Sequence, residues 1–63
     1  MGFYDVLKDA SELSGVALTR IGPKLGRDRS YVSGAAARGS VPSVDNAAAM
    51  LTACGYALAA VPV

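Results

Sequence analysis

The 63 residues predict an all-α domain of four to five helices, finished by a short C-terminal β-strand. Three features point there. Apolar residues recur at three- and four-residue intervals through most of the chain. Glycines fall where those patterns stop. Only the segment 56–63 switches to a two-residue alternation.

In the first helix, Phe3, Val6, Leu7, Ala10 and Leu13 form one apolar stripe. Asp5, Lys8, Asp9 and Glu12 take the opposite face, and Gly15 stops the helix. Leu18, Ile21 and Leu25 mark a second, shorter helix ending at Gly26. Gly22-Pro23 conflicts with it, because Pro23 has no N–H to bond back to residue 19 and biases Gly22 away from helical angles. This helix is therefore expected either to kink or to start later than its apolar pattern.

Asp28 can cap a third helix by accepting from the N–H of Ser30 or Tyr31. Val32, Ala35 and Ala36 then form a narrow buried seam, and the helix ends near Arg38-Gly39. The run Gly34-Ala35-Ala36-Ala37 suits close packing on helices 1 and 4, or a close approach to a DNA backbone. Ser43 caps a fourth helix carrying Val44, Ala47, Ala48 and Leu51 on its inner face, with Gly55 as its stop.

In the tail, Tyr56, Leu58 and Ala60 alternate with Ala57, Ala59 and Val61 before Pro62. Alternation without a polar face predicts a strand covered on both sides. In a helical chain its simplest partner is the same strand of a second copy, so Tyr56, Leu58 and Ala60 are candidate dimerisation residues and a homodimer is expected.

Size sets the frame for function. One domain spanning residues 1–63 is expected, and a chain this short buries only about 60% of its unfolded surface. Cys54 is the single cysteine and there is no histidine. An internal disulfide is excluded, a zinc site has no ligand set, and Cys54 reads as a small buried hydrophobe. Neither a nucleophile–base pair nor a glycine-rich phosphate loop after a strand is present, so neither enzymatic activity nor a cofactor is expected. The start GFYDVLKD lacks the basic-then-apolar pattern of a secretory leader, and a cytoplasmic location is expected. Residues 47–63 carry no charge, but the run is short, alanine-rich and broken by Gly55 and Pro62, so no membrane span is expected.

Net charge is only +1, yet its distribution is uneven. Arg20, Lys24, Arg27, Arg29 and Arg38 crowd into residues 20–38, where Asp28 is the sole acid. Such a stripe is either a solvated face or the electrostatic footprint of a phosphate ligand.

Two short helices joined by a turn containing Gly make the helix-turn-helix unit. The segment SGVALTRIGPKLGRDRSYVSGAAARGSVPSVDNAAAMLTACGYAL resembles the lambda-repressor-like, Xre-type helix-turn-helix family. The shared features are the turn Leu25-Gly26, the run Asp28-Arg29-Ser30-Tyr31-Val32-Ser33, then Gly39, Pro42-Ser43 and Gly55. Gly22 stands where the family often has a small alanine, and Pro23 follows it. The resemblance implies a lambda-repressor-like helix-turn-helix domain that binds double-stranded DNA sequence-specifically through its third helix. It suggests a transcriptional repressor of phage, mobile-element or antitoxin type, with a toxin as a possible protein partner.

In that arrangement the start of the third helix faces base edges in the major groove. Arg29 can fork onto guanine, worth about 1–3 kcal/mol of discrimination, or remain a solvated helix terminus beside Asp28. Ser30 and Ser33 reach bases or phosphates. Lys24 and Arg27 flank the groove as phosphate contacts, with Arg38 and Ser40 at its far edge. Tyr31 either packs on the second helix or donates to a phosphate. The rival expectation is a protein-binding or inhibitor module on the same scaffold, favoured by the low net charge, Pro23 and the alanine face.

Overall fold

A computed structural model describes residues 2–62. It is a small, all-helical structure in which α1 spans Phe3–Ser14, α2 Leu18–Lys24, α3 Tyr31–Ala37 and α4 Val44–Ala53. Helix α1 packs on α4, and α2 packs on both α4 and α3. Leu7, Ala10, Ile21, Val32, Met50, Leu51 and Cys54 form the central core, and Phe3, Tyr4, Val16, Leu18, Leu25, Tyr31 and Ala53 pack around it. Leu7, Ile21 and Met50 are fully buried. Among the described residues no helix is long and apolar enough to cross a membrane.

Local chemistry accounts for the helix ends. The Gly2 N–H donates to Asp5 Oδ2 at 3.0 Å and opens α1. Ser43 Oγ accepts from the Asn46 N–H at 3.1 Å and caps α4. At the end of α4, the Gly55 and Tyr56 N–H groups donate to the Thr52 and Leu51 carbonyls, a Schellman closure.

The inner faces differ from the periodicity in three places. Leu13 is 77% exposed and Val6 is also exposed, while Ser11 is buried in their stead. Ser11 tolerates this because its hydroxyl donates to the Val16 carbonyl at 2.6 Å. In α4 the buried set is Ala47, Met50, Leu51 and Cys54, and Val44 is 75% exposed. Both sets keep helical spacing but are rotated about the helix from the expected stripe. In α3 only Val32 and Ala35 are buried, and Ala36 is exposed. That helix packs chiefly on α2, with Val32 reaching the central core, so one narrow side suffices.

Helix α2 begins at Leu18 and contains Pro23, so the later start is not observed. The residue whose carbonyl loses its partner is Thr19, which is exposed, so water can replace the missing N–H. Gly22 eases the other half of the conflict: the proline ring clashes with the preceding Cβ, and glycine has none.

The C-terminal β-strand is not observed. Residues 56–62 have no regular secondary structure and are exposed, not covered as the alternation suggested. A strand exists only through hydrogen bonds to a neighbouring strand, and among the described residues no second extended segment is paired with this one.

Candidate nucleic-acid interface

The basic residues are displayed by α2, α3 and the segment between them. Helix α2 closes through Gly26, whose φ of 74° lies in the left-handed region that glycine enters without cost. The Gly26 N–H donates to the Pro23 carbonyl at 3.1 Å and the Arg27 N–H to the Gly22 carbonyl at 2.8 Å. The chain thus reverses tightly and delivers Arg27 and Asp28 alongside α2.

Asp28 then organises the start of α3. Its Oδ1 accepts from the Ser30 N–H at 3.0 Å and from the Ser30 hydroxyl at 2.8 Å. Its carbonyl accepts from the Tyr31 N–H at 3.3 Å. Ser30 is the N-cap residue of α3, so Arg29 stands in the turn just ahead of the helix rather than within its first turn. The first turn of α3 therefore carries Tyr31, Val32 and Ser33, with Arg29 projecting from the approach to it.

The two helices meet at Gly22. A Cβ there would overlap the Asp28 carbonyl oxygen and stand 3.0 Å from Tyr31 Cβ. Buried Gly22 is thus what lets the turn and α3 lie against α2. Tyr31 is half-buried at this junction and its ring lies beneath the Arg27 guanidinium, 5.4 Å from its carbon to the ring centroid. That geometry is a cation–π contact.

Two surface grooves border the start of α3. The first is shallow and open and is lined by Thr19, Pro23, Arg27, Asp28, Arg29, Ser30 and Ser33. The second is lined by Arg27, Asp28, Ser30, Tyr31, Gly34 and Arg38. Of the residues expected to contact DNA, Arg27, Arg29, Ser30, Tyr31, Ser33 and Arg38 are thus gathered around the start and one side of α3. Lys24 is exposed near the end of α2 but lines neither groove. Ser40 lies elsewhere, in a cleft shared with Phe3, Tyr4 and Pro42.

Thr19 and Pro23 line the first groove although neither was expected to contact DNA. Their signal was the four-residue spacing, which stacks them on one exposed side of α2. The candidate dimerisation residues Tyr56, Leu58 and Ala60 are exposed and lie outside both grooves. No family model, curated protein or solved structure matches the chain.

Proposed function

We propose that this chain is a helix-turn-helix DNA-binding protein that presents the start of α3 to the major groove of double-stranded DNA. The observation that carries the reading is the gathering of Arg27, Arg29, Ser30 and Ser33 on one open groove at a tight α2–α3 junction. Charged and hydroxyl side chains of this kind bond both phosphate oxygens and base edges. The exposed acids of α1, Asp5, Asp9 and Glu12, belong to a different part of the sequence from the basic segment 20–38. A polyanion is thus drawn to one region of the chain.

In this reading Arg29 reads a base edge, Ser30 and Ser33 assist it, and Lys24 and Arg27 hold phosphates. Repression of its own promoter region, as in phage, mobile-element or antitoxin regulators, is the role the Xre-type resemblance suggests. Dimerisation is part of the proposal. The exposed tail carries Tyr56, Leu58 and Ala60 on alternate positions, and pairing with a second copy would satisfy its free backbone groups.

Gel-shift titration with DNA from the chain's own promoter region tests this. Affinity is expected to fall log-linearly with salt. Arg29→Ala should relax sequence preference by about 1–3 kcal/mol, whereas Lys24→Ala should weaken binding evenly across sequences. Equal loss on every sequence for Arg29→Ala would remove it from base reading. No retention at low salt would sink the DNA-binding role.

A second reading is a protein-binding module, and one observation favours it. Leu58 is 45% exposed and Val61 77% exposed on an uncharged tail, an apolar offering that duplex DNA does not need. Retention of a protein partner together with loss of all DNA affinity would select it.

A further inference from the structure

The second groove has a composition that the interface as a whole does not explain. Two of its lining residues are arginines, Arg27 from the turn ahead of α3 and Arg38 from the end of α3. Tyr31, Gly34 and Arg38 are spaced three and four apart, which places them along one side of α3. Helical side chains lean toward the helix N-terminus, so Arg38 folds back along that side. Its Nη1 lies 3.1 Å from the point a Cβ on Gly34 would occupy. Arg27 arrives from the turn and rests on the Tyr31 ring. The acid of the groove, Asp28, already accepts two hydrogen bonds from Ser30 through Oδ1.

Gly34 is the unexplained member. Mid-helix glycine is a poor helix former, so its place asks for a reason. Gly22 has one, in the Asp28 backbone pressed against it. Around Gly34 the neighbour a Cβ would crowd is the far end of the Arg38 side chain. Helix packing therefore does not require glycine at position 34, and its missing side chain leaves the groove open beside the Arg38 guanidinium.

We propose that this groove is a two-arginine clamp for a single backbone phosphate, with Arg27 and Arg38 on either side and Gly34 leaving the space between them. The clamp rests on the DNA-binding reading above and names the part of the ligand this groove takes. The two arginines outnumber the one carboxylate of the groove, Asp28, so the groove keeps a net positive charge that attracts a phosphate. Guanidinium groups suit the task because their planar N–H forks match phosphate oxygens. A clamp of this kind positions the duplex against α3 and reads no sequence.

The test is fluorescence anisotropy of the full chain on a labelled random-sequence duplex over a series of salt concentrations. Arg38→Gln removes one charge. Gly34→Leu keeps both charges and fills the space. Each is expected to lower the slope of log affinity against log salt by about 0.9, the value for one phosphate contact. The double variant is expected to lose no more than either single one. Circular-dichroism melting checks that each variant folds, and Gly34→Leu should melt at or above the wild type. If Gly34→Leu does not fold, the Arg27→Gln/Arg38→Gln double variant decides: a slope lowered by about 0.9 fits one shared phosphate, and one lowered by about 1.8 overturns the clamp. An unchanged slope in either folded variant, with the wild type binding normally, overturns the clamp and leaves the DNA reading intact. A wild type that binds no duplex at low salt overturns the DNA reading and the clamp with it.

Discussion

Gly22 and Gly34 are both helical glycines, and their surroundings predict opposite responses to the same change. At Gly22 an added methyl meets backbone, the Asp28 carbonyl, which cannot swing aside. Gly22→Ala is therefore expected to destabilise the fold by about 1–3 kcal/mol, the usual cost of overpacking. At Gly34 the methyl meets a flexible arginine terminus, and the helix gains a better former. Gly34→Ala is expected to stabilise by about 0.5–1 kcal/mol. Urea denaturation of the two variants checks the pair, and a stabilised Gly22→Ala would show that α2 and α3 do not meet as described. This difference was not legible in the sequence. Gly22 drew notice as the partner of Pro23, and Gly34 as the start of an alanine run expected to pack closely. Which glycine is crowded depends on what the turn brings back against α2, and no local pattern records that.

Helices and their ends were far more legible than their inner faces. Gly15, Gly26, Gly39 and Gly55 all stand at helix ends with positive φ, as their positions after apolar periodic segments suggested. Ser43 caps α4 as a short polar residue before a helix does, whereas Asp28, expected to cap α3, accepts from the Ser30 N–H in the turn ahead of it, and Ser30 is the N-cap residue. The faces were misjudged where helices are short and alanine-rich. There a stripe of small residues can be rotated with little change in its pattern, and the neighbouring helix decides which residues are covered. Helix α1, which is neither short nor alanine-rich, departs as well: Ser11 is buried beside Ala10 while Leu13 faces outward. The Ser11 hydroxyl ties α1 to the Val16 carbonyl just before α2. Ser11→Ala is expected to cost about 1–2 kcal/mol, because a part-buried carbonyl loses its donor. Thermal melting should register that loss, and an unchanged midpoint would mean the carbonyl finds another partner. Helix α2 also shows how a proline fits in the last turn of a helix. Gly22 precedes it, and the carbonyl it deprives, that of Thr19, belongs to an exposed residue.

At the scale of the whole molecule, the buried core is supplied by the four helices, and residues 56–62 lie outside it. A chain ending after Gly55 is therefore expected to keep its helical circular-dichroism spectrum. The same truncation is expected to sediment as a monomer if the tail pairs with a second copy, as proposed. A truncated chain that still sediments as a dimer would place the self-association elsewhere. The alternation of residues 56–63 pointed to a strand, but a strand needs a partner and one described chain offers none. Of the basic residues crowded into segment 20–38, Arg27, Arg29 and Arg38 border adjoining grooves.

The central claim is that the face formed by the α2–α3 turn and the start of α3 meets DNA. Amide chemical-shift mapping of the labelled chain during titration with a duplex tests it most directly. Binding through this face puts the largest shifts between Lys24 and Ser40, while the amides of residues 56–62 move little. Shifts concentrated in the tail or on α1, or no shifts at low salt, would contradict it.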